Sequence, residues 1–236
     1  MNVDMVEIDV RMTKDSVFIL MHDDTIDRTT NGSGRVEEMA WAELKELRLI
    51  DPLKAVTNHK IPTLEQALSV AEGKILLNLD KVYGHIDPIT VYLKRKDLLS
   101  HVVFKGWMKT YQDFQDDFEI PLNGIHFMPI VSLDEENWRD IIDSYSKETS
   151  PVAFEILFNN EGENEEAVQK IKSLNSRVWI NSLWATFNAG HDDERAVHDV
   201  EGSYGWLISQ GASIIQTDRP KLLLDYIQSH GMNSED

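Results

Sequence analysis

The first predicted strand alternates apolar and polar positions. Over residues 3–10 the apolar side chains share one face, while Glu7 and Asp9 share the other, because successive side chains of a strand point to opposite faces. After a short turn, residues 17–21 predict a second strand that runs into His22. The pattern gathers two carboxylates and an imidazole in one small region, which suits a hard cation with an acid or base beside it. A solvated strand face is the alternative interpretation.

Strands and helices alternate along the rest of the chain. The further predicted strands cover residues 74–80, 101–106, 124–131, 151–158, 177–184 and 212–217. The predicted helices cover residues 38–48, 64–72 (between an N-cap at Thr63 and a stop at Gly73), 85–97, 110–119, 134–148, 163–174 and 219–229.

This alternation predicts an α/β fold with a parallel sheet. Because polar residues cluster toward the C-terminal ends of the strands, we expect a TIM-type (β/α)₈ barrel with its site at that mouth. We expect one domain over residues 1–236 with a small insertion at about 23–60. An open doubly wound sheet is the alternative, but it requires a glycine-rich phosphate turn after the first strand, and the sequence has none there.

Composition narrows the function classes. The 236 residues include 41 acidic and 23 basic ones, a net charge of −18 that argues against nucleic-acid binding. The absence of cysteine excludes disulfides, thiolate metal sites and cysteine nucleophiles. The sequence shows neither a transmembrane stretch nor a signal-peptide pattern. We expect a cytoplasmic protein as written, and a periplasmic or secreted one if a signal peptide precedes Met1.

Two strings, EIDVRMTKD and MHDDTIDRTTNGSG, resemble the signature of the glycerophosphodiester phosphodiesterase family. That signature has E-x-D-V, T-K-D and H-D-x-T-x-D-R-T-T-x-G-x-G, a string too long to match by chance. In that family the Glu and Asp of E-x-D bind a divalent metal, and the His of H-D is one of two catalytic histidines. The resemblance therefore implies a metal on Glu7 and Asp9 and a catalytic His22.

Members of this family begin with a strand carrying H-R-G, followed by a helix, before the E-x-D strand. This sequence starts only six residues ahead of Glu7 and contains no His-Arg-Gly string. We therefore expect a barrel without its first β/α unit, and without the family's first catalytic histidine and its arginine.

The string LLNLDK supplies two more candidates. Asp80 lies where the family has its third acidic ligand, usually Glu in an E-x-K context, and the alternative for it is a structural acid in the next turn. Lys81 stands one position closer than the family's phosphate-binding lysine. Because neighbouring residues of a regular strand face opposite ways, Lys81 can reach phosphate only if the strand ends or bulges there.

The later strands add candidates for substrate binding. Glu155 faces inward between apolar neighbours, and its alternative role is an ion pair with Lys105. Trp179 and Asn181 share an inward face, and Trp179 matches a family tryptophan that lines the substrate alcohol. A further acidic cluster at 191–194 suggests metal binding, but its position before a helical run favours capping of that helix. Asp218 of the T-D-x-P string is expected to cap or fix the closing turn.

The resemblance implies a metal-dependent hydrolase of glycerophosphodiesters, the deacylated head groups of lipid metabolism, which releases glycerol 3-phosphate and an alcohol. Oxygen-only ligands indicate Mg²⁺ or Ca²⁺. Two alternatives stay open: a non-catalytic remnant that binds metal and phosphodiester, and a barrel glycosidase that uses two acids without metal. We expect a small-molecule substrate and no nucleic-acid partner. A homo-oligomer is possible, and the sequence does not decide the oligomeric state.

Overall fold

The computed structural model describes residues 3–162 and 164–232. Strands β1 to β8 are Met5–Met12, Phe18–Leu20, Leu76–Asp80, Val102–Trp107, His126–Ser132, Ala153–Leu157, Arg177–Asn181 and Ile214–Gln216. Helices α1 to α9 are Trp41–Leu44, Leu64–Ala71, Ile86–Lys94, Tyr111–Asp117, Trp138–Asp143, Asn164–Ser173, Asp193–Ala196, Trp206–Ser209 and Pro220–Ser229. The predicted α/β alternation is confirmed. Position 163 of the predicted helix 163–174 lies outside the described residues.

The described chain forms two compact units, of which the first is Asp4–Lys105. Its strand order is β2-β1-β3-β4. The hairpin partner β2 runs antiparallel to β1 and pairs with its last three residues, Val10–Met12. The strands β1, β3 and β4 run parallel to one another, so the C-terminal ends of these three strands meet at one edge of the sheet.

Residues 23–60 add a small irregular layer to this unit. Isolated bridges join Thr25 to Arg35 and Thr30 to Leu49. Its apolar side chains pack with those of β2 and of the residues that flank this layer into a local core: Ile19, Met21, Ile26, Val36, Leu44 and Ile61. The helix predicted over 38–48 is wrong in length, because α1 covers Trp41–Leu44 only. The chain leaves the helix there because Arg48 donates its backbone N–H to Asn31, and Leu49 pairs with His59, which are contacts that a helix cannot make.

Helix α2 begins and ends where the sequence predicts. The hydroxyl of Thr63 accepts from the backbone N–H of Gln66, whose side chain accepts from the N–H of Thr63 in return, so both ends of a capping box are present. After the helix, Gly73 adopts a φ of +68°, a left-handed conformation that glycine takes without strain.

The second unit consists of the described residues from Gly106 onward together with Val3. Its strand order is β5-β6-β7-β8, all parallel. On β6, Phe154 and Ile156 are fully buried on the face opposite to Glu155, as the alternation predicts. The register pairs Glu155 with Trp179 and Asn181 with Gln216, so these four polar or aromatic side chains lie on one face.

Several elements of the second unit differ from the prediction. The helix predicted over 134–148 is reduced to Trp138–Asp143, because the N–H of Ser146 is drawn into a turn closed by the hydroxyl of Thr149. The strand predicted over 177–184 ends at Asn181. A π-helical turn at Glu201–Gly205 and the short helices α7 and α8 had no boundaries in the sequence prediction. Within the described residues, no helix combines the length and apolar character needed to cross a membrane.

Candidate functional site

Three carboxylates meet at the C-terminal ends of β1 and β3. Glu7, Asp9 and Asp80 each offer one oxygen, and these oxygens all lie within 4.8 Å of one another. All three residues are half-buried. The structure thus brings together the three acids that the sequence analysis selected as ligands.

The strand register explains why these acids converge. Asp9 pairs with Asp80, and Glu7 pairs with Asn78, across the parallel strands β1 and β3. Register partners on adjacent strands point to the same side of the sheet, and the residues two positions away do so as well. Two acids at i and i+2 on one strand therefore reach the third acid on the next strand.

Two lysines lie beside the carboxylates. Strand β3 ends at Asp80, and Lys81 follows with a φ of +62°, so its side chain leaves the strand alternation. The strand end is the condition under which we expected Lys81 to reach phosphate, and its Nζ lies 3.6 Å from Oδ1 of Asp9. On β4, the side chain of Lys105 is 5% exposed and its Nζ lies 3.9 Å from Oδ2 of Asp80. Three carboxylates beside two ammonium groups leave the cluster one negative charge in excess.

His22 follows β2 and is held from two sides. The N–H of Met21 donates to the carbonyl of Asp9 at 3.0 Å, so the backbone just before His22 is tied to the end of β1. The guanidinium of Arg11 donates to the carbonyl of His22 at 2.9 Å. The imidazole itself is 62% exposed, and its Nδ1 lies 2.6 Å from Oδ1 of Asp23. The side chain is therefore largely open to solvent, while its Nδ1 is held by Asp23.

Asp23 is held in turn by Arg28. The Nε of Arg28 donates to Oδ2 of Asp23 at 2.6 Å and a terminal nitrogen donates to Oδ1 at 2.9 Å. Arg28 first, and His22 second, hold the pKa of the Asp23 carboxyl well below its usual range by donating hydrogen bonds to its charged form. The same contact raises the pKa of Arg28. Asp23 is therefore a carboxylate at neutral pH.

Sequence reasoning missed some of these neighbours. It considered Lys105 only as a partner for Glu155, although the buried lysine between apolar residues of β4 was a signal of an inward-facing charge. It gave no role to Asp23 and Arg28, although both belong to the string that carries the family resemblance. No signal identified Gln216.

A second polar group lies on the sheet of the second unit. The amide of Asn181 donates to Oε1 of Glu155 at 3.3 Å and to Oε1 of Gln216 at 3.4 Å. The indole N–H of Trp179 donates to the same oxygen of Gln216 at 3.3 Å. The structure thus brings Glu155, Trp179 and Asn181 into one connected group, as their shared inward face predicts.

The acidic cluster at 191–194 serves the packing of the second unit. Asp192 caps α7 by accepting from the N–H of Arg195 at 2.9 Å, which confirms the capping interpretation for this residue. Asp193 is buried and accepts hydrogen bonds from three hydroxyl groups at 2.7–2.8 Å, those of Ser182, Tyr204 and Thr217. Among the described residues, this cluster does not form a group suited to a metal ion.

We expected Asp218 to cap or fix the closing turn before α9, but other side chains hold this turn. The carboxylate of Asp193 accepts from the backbone N–H of Asp218 at 2.8 Å. The hydroxyl of Thr217 accepts from the N–H of Arg219 at 2.8 Å, and Arg219, rather than Asp218, is the residue that precedes the helix as its N-cap. Pro220 is the first residue of the helix, where its missing backbone N–H costs no hydrogen bond.

Two family models match different parts of the chain. Residues 1–113 match the glycerophosphoryl diester phosphodiesterase family. Residues 127–227 match a domain of unknown function. The first match contains the three clustered carboxylates and His22.

Curated relatives match over limited segments. A glycerophosphodiester phosphodiesterase of Bacillus subtilis is 42% identical over 77 residues, which are 29% of this chain and 26% of that protein. Glycerophosphodiester phosphodiesterase 1 of Mus musculus is 35% identical over 98 residues, 38% of this chain and 28% of that protein. The matched segments span less than half the length of the curated relatives.

Solved structures match over almost the whole chain. A glycerophosphoryl diester phosphodiesterase from Parabacteroides distasonis is 28% identical with a TM-score of 0.74, covering 96% of this chain and 76% of that one. A glycerophosphodiester phosphodiesterase from Thermotoga maritima is 18% identical with a TM-score of 0.61, covering 94% of this chain and 84% of that one. This likeness confirms the expected TIM-type fold class. Residues 1–113 thus match the glycerophosphoryl diester phosphodiesterase family, the family that the two sequence strings resemble.

Proposed function

We propose that this protein hydrolyses glycerophosphodiesters to glycerol 3-phosphate and an alcohol, with a divalent cation held by Glu7, Asp9 and Asp80. The observation that carries the proposal is the convergence of these three carboxylates within 4.8 Å, inside the segment that matches the phosphodiesterase family. The family match supports the reaction class, and the geometry supports the ligands.

The donor set fits a hard cation. Three carboxylate oxygens at this separation repel one another, and the neighbouring ammonium groups of Lys81 and Lys105 offset only part of that repulsion. Carboxylate oxygens are the ligands that Mg²⁺ and Ca²⁺ prefer. When bound, such a cation offsets the charge that builds on the non-bridging phosphate oxygens as phosphorus is attacked.

The remaining residues supply binding and proton transfer. Lys81, which leaves the strand at a positive φ, is assigned to a phosphate oxygen. His22, whose Nδ1 is held by Asp23, is assigned to proton transfer at its other ring nitrogen, Nε2. We also propose substrate binding for Glu155, Trp179 and Asn181, which form one hydrogen-bonded group with Gln216.

A second candidate function is binding of metal and phosphodiester without turnover. The observation that favours it is that the 236 residues contain no His-Arg-Gly string, which carries the other catalytic histidine in the family that the sequence resembles. A glycosidase is disfavoured, because its two acids flank a sugar bond and do not need a third carboxylate between them.

The test is release of glycerol 3-phosphate from glycerophosphocholine or glycerophosphoethanolamine with Mg²⁺ or Ca²⁺. We expect release that stops on chelation and in Asp9→Asn, while Asp225→Asn, an exposed acid paired with Lys221, keeps the starting rate. Binding of glycerol 3-phosphate without any release would favour the second candidate. Release that survives chelation would contradict both.

A further inference from the structure

The hydrogen-bond partner of His22 determines where its proton lies. An ionised carboxylate only accepts hydrogen bonds, so the ring nitrogen facing Oδ1 of Asp23 at 2.6 Å must be the donor. A neutral imidazole carries one proton, and if Nδ1 holds it, the lone pair lies on Nε2. The side chain is largely exposed, so the rest of the protein does little to impose this tautomer.

Asp23 does not hold the imidazole unaided, because it also faces solvent. Arg28 contacts both of its oxygens, one through Nε at 2.6 Å and the other through a terminal nitrogen at 2.9 Å. Exposed ion pairs contribute little as a rule, but a two-pronged arginine contact fixes the plane of the carboxylate. That plane directs Oδ1 at the ring of His22.

We propose that Arg28 is a positioning residue for His22, which it keeps in the Nδ1–H tautomer by holding the carboxylate of Asp23. Nε2 is then the nitrogen that accepts a proton. As an attacking hydroxyl loses its proton, its O–H bond breaks and an N–H bond forms at Nε2, while Nδ1–H stays with Asp23. The role in proton transfer rests on the proposed function, whereas the tautomer does not.

The backbone around this trio supports the same arrangement. Lys54 donates from Nζ to the carbonyl of Arg28 at 3.3 Å, and Arg11 donates to the carbonyl of His22 at 2.9 Å. The segment 23–60 thus holds the arginine, and strand β1 holds the histidine. This gives the irregular layer after β2 a role in orienting the side chain of His22, which follows the backbone contact between Met21 and Asp9.

The tautomer can be read without turnover. In the ¹⁵N-labelled full chain, two-bond ¹H–¹⁵N correlation spectra of neutral imidazoles distinguish protonated from unprotonated ring nitrogens, and His22→Gln identifies the signal of His22. We expect Nδ1–H in the wild type. In Arg28→Gln the carboxylate of Asp23 is no longer held, so the hydrogen bond from Nδ1–H should be lost. Since a hydrogen bond to a charged group contributes at least about tenfold, we expect the ratio of tautomers to move by about that factor toward Nε2–H.

Matched variants separate positioning from folding. Arg35→Gln removes another exposed arginine of the same segment, which is paired with Glu37, and is expected to leave the ratio unchanged. Arg28→Lys, which keeps the charge but lacks the planar fork, and Asp23→Ala are both expected to shift the ratio as Arg28→Gln does.

Three outcomes would overturn the proposal. They are Nε2–H for His22 in the wild type, a wild-type ratio in Arg28→Gln, and a wild-type ratio in Arg28→Lys. The measurement needs no substrate, so the tautomer of His22 can be determined even if the protein does not hydrolyse glycerophosphodiesters. Conversely, a wild-type ratio of tautomers in the variants would overturn the role of Arg28 but not the hydrolysis proposal.

Discussion

Asp9 and Asp80 are register partners across the parallel strands β1 and β3, and each lies beside a lysine, Lys81 for Asp9 at 3.6 Å and Lys105 for Asp80 at 3.9 Å. The cluster therefore presents both signs of charge at one edge of the sheet. This arrangement suits a phosphodiester, whose oxygens carry negative charge and whose binding needs positive charge close to a cation.

Lys81 is expected to contribute directly to phosphate binding. Replacing it in Lys81→Met removes a charge-assisted hydrogen bond, so the affinity for glycerol 3-phosphate in the presence of Mg²⁺ should fall by about tenfold or more. Titration calorimetry measures this. Lys94→Met, an exposed lysine in the last turn of α3, is the control and should retain the affinity. Equal affinities in both variants would remove Lys81 from the phosphate site.

Local patterns predicted the site better than the loops around it. Strand alternation placed Glu7 and Asp9 on one face, and the family resemblance implied the ligand roles of Glu7, Asp9 and Asp80. Their convergence follows from the regular register of the parallel strands β1 and β3. The length of α1 was not predicted, because Arg48 and Leu49 form contacts with Asn31 and His59 that no local pattern encodes.

Roles that depend on distant partners were also missed. Asp193 appeared as one acid of a charged run, yet its buried hydrogen bonds come from residues 11 and 24 positions away. Arg28 and Asp23 are close in sequence, but the role of their ion pair depends on the position of the His22 side chain. Such roles follow from tertiary contacts rather than from spacing.

Asp193 should be important for the stability of the second unit. Asp193→Ala removes an acceptor from three hydroxyl groups, of which those of Ser182 and Tyr204 are buried, and should lower the free energy of unfolding by about 3 kcal/mol. Asp192→Ala removes only an N-cap and should cost about 1 kcal/mol. Urea unfolding of both variants measures the difference. Equal losses would mean that the hydroxyl groups find other acceptors.

Asp113 should make stability depend on pH at the acid end. The hydroxyl and backbone N–H of Thr110 lower the pKa of the Asp113 carboxyl, because both donate to its charged form. A lowered folded-state pKa gives stability that is present above the unfolded pKa, near 3.8, and is lost as pH falls through the folded value. Asp113→Asn should therefore be less stable than the wild type at pH 7.

The pH dependence supplies the control for that prediction. The stabilities of the wild type and Asp113→Asn should converge as the pH falls below the folded-state pKa, when the wild-type carboxyl is itself protonated. Thermal unfolding at a series of pH values measures this. A gap that stays constant down to the lowest pH would assign the effect to something other than the charge of Asp113.

Turnover by the 236-residue chain should be slow. One member of an acid–base pair contributes about 10² to 10⁴ in rate, and the sequence has His22 but no His-Arg-Gly string. Adding a strand and helix that carry H-R-G at the N-terminus should raise glycerol 3-phosphate release at least about a hundredfold. His22→Ala in the extended chain should abolish that gain. An unchanged rate after the addition would contradict the assigned pairing of histidines.

The central claim is that Glu7, Asp9 and Asp80 form a cation site, and calorimetric titration with Mg²⁺ and Ca²⁺ tests it most directly. The double variant Glu7→Gln/Asp9→Asn removes two of the three carboxylates from the cluster. The double variant Glu46→Gln/Asp225→Asn removes the same charge from exposed pairs with Lys60 and Lys221. We predict binding at one site in the wild type and in the second variant, and none in the first. Equal binding by the wild type and Glu7→Gln/Asp9→Asn would contradict the account.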